Sequence, residues 1–301
     1  NNKNYNNILR AYQELLEEGK LNIRITLQST FSKVDDYLEF RKLNEDNDFL
    51  KIGPLKIFLD GSLGAKSAYL KKPYKGSENN YGISCYTKDS LFSIIKKSQE
   101  KSFSVIAHAI GDAAIEQFLD VKEEIYGEIN PNRLGIVHCQ ITNNELLYRI
   151  GYLNILVYAQ PIFIDYDMEI LNILVDEQTA ETSYAFNTLN KETYLSFGTD
   201  APVENLNCFD NLYCAVTRYN LAHTKQLNPS ESFTIKNAIK AYTYNSAYMS
   251  YDEDYLGLIK EGYAADFIVL DKDIFTINQN DLRTINVIRT VVGGKDVYKK
   301  E

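Results

Sequence analysis

Residues 105–112 read Val-Ile-Ala-His-Ala-Ile-Gly-Asp: an apolar, strand-forming run that delivers His108 immediately before a Gly-Asp turn. The chain holds only three histidines, and a second one repeats the arrangement, because Leu-Gly-Ile-Val-His-Cys-Gln places His138 at the end of another β-branched run. Asp200 does the same in Leu-Ser-Phe-Gly-Thr-Asp-Ala-Pro-Val, residues 195–203. Polar, metal-competent side chains at the C-terminal ends of successive buried strands are how a parallel α/β barrel builds an active site.

Outward from this stretch the pattern alternates between strand and helix. Strand-like runs cover 21–29, 53–62, 103–109, 134–139, 154–160 and 193–198. Helical periodicity covers 5–19, 33–48, 88–101, 112–126, 143–151, 207–222 and 234–248, with a less regular, partly helical stretch at 165–190. Six strands each followed by helical sequence predict parallel strands joined by right-handed crossovers. A full (β/α)8 TIM-type barrel needs eight. The expectation is an incomplete barrel, about its strands 3–8, spanning residues 1–250, with two units lying before residue 1. Residues 251–301 change rhythm to short strands, and Val-Val-Gly-Gly-Lys-Asp-Val-Tyr carries the Gly-Gly of a tight hairpin. This tail reads as the C-terminal strands of a small β-sandwich whose partner strands also lie outside the chain. Residues 62–87 form a long connection rich in Gly, Lys, Tyr and Ser, the kind of loop that serves as a lid or stays disordered.

Composition narrows the function. The 301 residues are 45% hydrophobic and 24% charged, ordinary for a globular chain, and the net charge of −9 argues against a phosphate-binding surface and hence against nucleic acid. No apolar run reaches the roughly 18 residues a membrane span needs, and the N-terminus lacks the basic-then-apolar pattern of a secretory signal. Cys85, Cys139, Cys208 and Cys214 are scattered without CxxC spacing, which fits reduced thiols in a cytoplasm.

His108, His138 and Asp200 are, by residue type, ligands that a catalytic zinc accepts while keeping one position for water. One strand-end histidine is more often a hydrogen-bonded core residue; two with an aspartate on successive strand ends favour a metal site. Lys56 sits inside the apolar strand Leu-Lys-Ile-Phe-Leu-Asp, where alternation groups it with Phe58 and Asp60. A lysine aimed into a barrel is costly unless paired or chemically altered; snorkelling to the barrel mouth is an equally good reading. Asp60 and Asp112 either orient ligands or cap turns. His223 reads as a surface histidine, Arg218 as a solvated or salt-bridged side chain rather than a pocket residue, and Tyr69, Tyr74 and Tyr81 as cleft lining or loop packing.

Five ordered blocks, LKIFLDGSLGAKSA (55–68), IAHAIGDAAI (106–115), GIVHCQI (135–141), AQP (159–161) and FGTDAPV (197–203), followed by the tail YLGLIKEGYAADFIVLD, resemble the amidohydrolase superfamily. The resemblance is strongest to the branch of N-substituted formamide deformylases and exoenzyme regulatory proteins. It implies a metal-dependent hydrolase of C–N bonds in small amide-like substrates. Lys56 would be carboxylated and bridge two metals, and the cofactor would be one or two divalent ions, with zinc the expected metal. His108 and His138 would bind the second ion, and Asp200 would bind the first and shuttle protons. Ester or lactone hydrolysis, or a catalytically silent regulatory protein on the same scaffold, are the alternatives, and homo-oligomerisation is open. The family's first-strand HxH pair is absent here, and Thr199, Cys139 and Lys66 stand where Ser, Ala and Arg are usual. The expectation is therefore that this polypeptide by itself is inactive and binds at most one metal weakly.

Overall fold

The computed structural model describes residues 2–301, with side chains from Tyr5 onward. Six parallel strands stand in chain order: β1 (Ile25–Ser29), β2 (Leu50–Phe58), β3 (Val105–Ala109), β4 (Gly135–His138), β5 (Leu156–Ala159) and β6 (Leu195–Phe197). They form a curled half-barrel with β1 and β6 at its two edges among the described residues. The helices between them are α1 (Asn2–Glu17), which precedes β1, then α2 (Val34–Leu43), α3 (Lys88–Lys101), α4 (Asp112–Tyr126) and α5 (Asn144–Tyr152). The β5–β6 connection carries α6 (Ile164–Leu174), α7 (Glu177–Glu181) and α8 (Phe186–Glu192); α9 (Cys208–Thr217), α10 (Ile235–Tyr242) and α11 (Tyr244–Met249) follow β6. The incomplete (β/α) barrel expected from the sequence is what the chain builds.

Two observations show why local sequence suffices for much of this. Thr87 caps α3 by accepting from Ser90 N at 3.2 Å, and α3 buries Leu91 and Ile95, the apolar face that its spacing predicts. Strand pairing puts Leu55, Ile57, Val105, Ala107 and Ile136 on the helix-covered face, all 2% exposed or less. The inner face carries Lys56, Phe58, Ile106 and His108. Phe58 is 45% exposed there, because the curled sheet does not close over it.

Three boundaries differ from expectation. The 207–222 helix stops at Thr217, since Arg218 takes a left-handed φ of 60°. The 234–248 helix is two, broken where Thr243 leaves helical geometry at φ −113°, ψ −90°. The 33–48 helix ends at Leu43, where Asn44 turns extended and its amide bonds back to Phe40 O. The 62–87 connection has no regular structure, yet it is packed. Leu63, Ala68, Leu70 and Tyr74 are buried, and Tyr74 donates its hydroxyl to Ala68 O at 2.9 Å.

The tail forms an antiparallel sheet of β7 (Phe267–Leu270), β8 (Val287–Val292) and β9 (Lys295–Lys299), with Gly293 and Gly294 at φ 56° and 77° supplying the hairpin turn. It is tied to the barrel by Arg24, which makes two bonds to Asp266, at 2.6 and 3.1 Å. The segment leading into the tail is clamped by Arg133, whose guanidinium lies 3.9 Å from the Tyr248 ring and 4.0 Å from Tyr251 while pairing with both oxygens of Glu253. An arginine held between two rings and a carboxylate stabilises more than an exposed pair does. Arg133→Ala is expected to cost about 2–3 kcal/mol, read as a fall in urea midpoint; Arg133→Lys, which loses the planar fork, should recover little of it.

No helix among the described residues is long and apolar enough to cross a membrane.

Candidate metal centre

The C-terminal ends of β2, β3 and β4 bring Lys56, His108 and His138 to one mouth of the sheet. Register pairs Phe58 with His108 and Ala109 with His138, and sets Val137 beside His108. Strict alternation would then turn His138 to the opposite face. The backbone prevents this: His138 and Cys139 adopt φ values of 78° and 52°. The His138 ring swings back to a centroid separation of 4.5 Å from His108, edge to face at 74°. Asp200, just past β6, is also left-handed at φ 54°. Non-glycine residues held in this region concentrate at functional sites.

Each histidine has one nitrogen tied to protein. His108 Nε2 lies 3.0 Å from Gly61 O; a carbonyl only accepts, so Nε2 carries the proton and Nδ1 is free. His138 Nδ1 lies 2.8 Å from Gln160 Oε1, and its ring stacks on Phe163 at 16°. Burial holds His138 neutral, down to about 3, with His108 and Lys56 nearby adding to the effect. Burial also lowers His108, partly countered by its bond to Gly61. Neutral imidazole is the form that binds metals.

Lys56 is partly buried, and among the described residues no carboxylate stands within salt-bridge distance of it. Its Nζ lies 5.5 Å from the Phe58 ring, and burial lowers its pKa against the pull of Asp200. It does not escape to a surface counter-ion. Asp200 is exposed at the rim, its carboxyl raised by desolvation and lowered by Lys56 and His108, which places the three in one electrostatic neighbourhood. Among the described residues no group of three or more His, Cys, Asp or Glu stands close enough together to hold an ion. Two neutral imidazoles are a donor pair that a divalent metal accepts, and Lys56 and Asp200 lie within electrostatic reach of them.

Asp60 resolves to a structural organiser. Its buried carboxylate accepts from Gly111 N at 2.7 Å, Tyr69 N at 3.0 Å and Ile110 N at 3.1 Å, and His108 Nε2 stands 3.5 Å away. Burial raises it to about 6 against those three donors. Asp112 accepts from Ala113 N beside it and from Lys71 N, 41 residues away, and so ties the 62–87 loop to the start of α4. Tyr74 is loop packing, and His223 is exposed, bonding Tyr213 through Nδ1 at 2.6 Å. Arg218 departs from expectation. It is 0% exposed after the left-handed turn that ends α9, its Nε donates to Leu227 O at 2.9 Å, and among the described residues neither terminal nitrogen has a partner. Gln160 and Phe163 were not singled out as site residues from the sequence. The AQP block was the one signal available for Gln160.

Residues 1–298 match the model of the amidohydrolase family. The chain is similar to a putative amidohydrolase, YtcJ, of Bacillus subtilis (strain 168), 33% identical over 296 residues, covering 97% of this chain and 55% of that protein. It is also similar to the N-substituted formamide deformylase of Arthrobacter pascens, 25% identical over 263 residues, covering 86% of this chain and 48% of that protein. Among solved structures, a metal-dependent hydrolase from Pyrococcus furiosus superposes with a TM-score of 0.77 at 31% identity, covering 89% of this chain and 55% of that one. The chain thus spans about half the length of the relatives it matches. Strand-end histidines on a curled parallel sheet, and a family match running almost end to end, make this chain a member of the amidohydrolase family.

Proposed function

We propose that this chain carries the two-histidine half of a divalent-metal centre, with zinc the favoured ion, in a hydrolase that cleaves a C–N bond of an amide or N-acyl compound. The observation that carries the reading is the pair of neutral imidazoles 4.5 Å apart, each with one nitrogen committed to the protein and the other free. A divalent ion held there supplies Lewis acidity, activating water for attack and polarising the scissile carbonyl. Lys56, carboxylated at Nζ, would add an anionic oxygen ligand in place of a partly buried ammonium. Asp200, exposed at the rim, would take a proton from the attacking water and return it to the leaving nitrogen. The formamide deformylase among the relatives supports an N-acyl substrate, and the mouth of the sheet is where a small molecule of that kind would sit.

A second reading has its own observation. The chain has three histidines and no HxH, and among the described residues no third His, Cys, Asp or Glu completes the cluster; a catalytically silent protein on this scaffold fits that. Dialysis against Zn²⁺ with metal analysis separates them. We expect at most one ion per chain, bound weakly, lost in the His108→Ala/His138→Ala double variant, and no turnover of N-formyl, N-acyl or ester substrates by the 301-residue chain. Zinc binding no better than that of the double variant would sink the metal reading.

A further inference from the structure

We infer that Gln160 is a positioning residue that decides which nitrogen of His138 is free for a ligand. The hydrogen bonds themselves fix the orientation of the amide. Gln160 is 6% exposed at the end of β5, and one end of its amide lies 3.1 Å from Tyr158 O. A backbone carbonyl only accepts, so that end is Nε2, and the oxygen must be the end facing His138. An amide oxygen also only accepts. His138 Nδ1, 2.8 Å from it, therefore carries the proton, and a neutral ring with its proton on Nδ1 has a bare lone pair on Nε2.

Two further features give this local bond a consequence for the site. His138 has left the regular strand alternation, so its backbone alone does not specify where the ring nitrogens point. The parallel stack on Phe163, with centroids 5.8 Å apart, sets the ring plane, and Gln160 then chooses the rotation and tautomer within that plane. At His108 the complementary choice is made by the Gly61 carbonyl on Nε2. The two neighbouring rings are therefore locked with opposite nitrogens bare, Nδ1 on His108 and Nε2 on His138. Partners behind a ligating histidine typically change metal affinity by about 10–100-fold when removed.

The tautomer stands on the hydrogen bonds alone; only its role in metal binding rests on the function proposed above. The test is nitrogen NMR on the full 301-residue chain labelled with ¹⁵N-histidine, with His138→Ala identifying the His138 signals, alongside Zn²⁺ titrations. The unsubstituted chain is expected to show His138 protonated at Nδ1 and bare at Nε2. Gln160→Glu, which keeps an acceptor facing the ring, should preserve that form. Gln160→Met should lose the preference and weaken Zn²⁺ binding about tenfold, while thermal melting confirms that both variants are folded. A proton on Nε2 in the unsubstituted chain, or an unchanged tautomer in Gln160→Met, overturns the inference. If Zn²⁺ affinity is indifferent to both His138→Ala and Gln160→Met while the tautomer still shifts, the ligand role of His138 fails and the positioning by Gln160 stands.

Discussion

Asp60→Ala is expected to destabilise the chain by about 3–5 kcal/mol and to loosen His108 at the same time. The Asp60 carboxylate joins the end of β2, the turn after β3 and the 62–87 loop, through the N–H groups of Ile110, Gly111 and Tyr69. Without it three backbone donors in a water-poor interior lose their partner, and each costs on the order of 1–3 kcal/mol when left unmade. The total falls short of the sum, because burial already penalises the carboxylate, as its rise to about 6 records, and because water enters part of the gap. Asp60→Asn keeps one acceptor but turns an NH₂ toward N–H donors, so an intermediate loss of about 2–3 kcal/mol is expected.

Gly111→Ala probes the same knot from the other side: a Cβ there would stand 2.0 Å from Tyr69 O, a backbone atom with nowhere to retreat. The double variant should lose less than the two single losses added, since both break one structure. Urea midpoints for the four proteins check this. An Asp60→Ala midpoint indistinguishable from that of the unsubstituted chain would show that the 62–87 loop holds itself in place.

The contrast between Asp60 and its neighbours shows what a sequence reveals here. The helices at 88–101 and 112–126 lie at the bounds their spacing predicts, because a capping threonine, a preceding glycine and a 3.6-residue apolar stripe are local signals that tertiary packing reinforces. The strand-end histidines were legible as a pair: one alone reads as a core residue, but two with an aspartate at further strand ends form a conjunction that core packing rarely produces. Residues 234–248 misled because the apolar period continues across Thr243, whose backbone break has no counterpart in the pattern. Arg218 misled because type alone places arginine in solvent; its inward turn depends on a left-handed φ that sequence does not display. Asp60 and Gln160 were half-legible. Each is a polar residue at a strand end, but their partners lie 50 and 22 residues away, and only the fold selects turn-holding for one and histidine orientation for the other.

Lys56→Met should move stability and metal binding in opposite directions, a combination that a purely structural lysine does not produce. On the inner face of β2 the Lys56 ammonium is partly desolvated, and among the described residues it has no carboxylate within 4.0 Å; its neighbours are the Phe58 ring and, farther away, Asp200. Methionine nearly matches its length and carries no charge to desolvate, so the substitution should stabilise the chain by about 1 kcal/mol. Retaining a lysine where an apolar side chain packs better is explicable if its amine does chemistry. Addition of CO₂ to the neutral amine would form an N–C bond, release a proton and put an anion in place of a partly desolvated cation near His108 and His138. Zn²⁺ affinity of the unsubstituted chain should then rise with added bicarbonate. In Lys56→Met that response should vanish, with affinity lower by about 10–100-fold. Paired denaturation and Zn²⁺ titrations with and without bicarbonate measure both signs on one protein. A destabilised Lys56→Met chain with an unaltered bicarbonate response would reduce Lys56 to a packing residue.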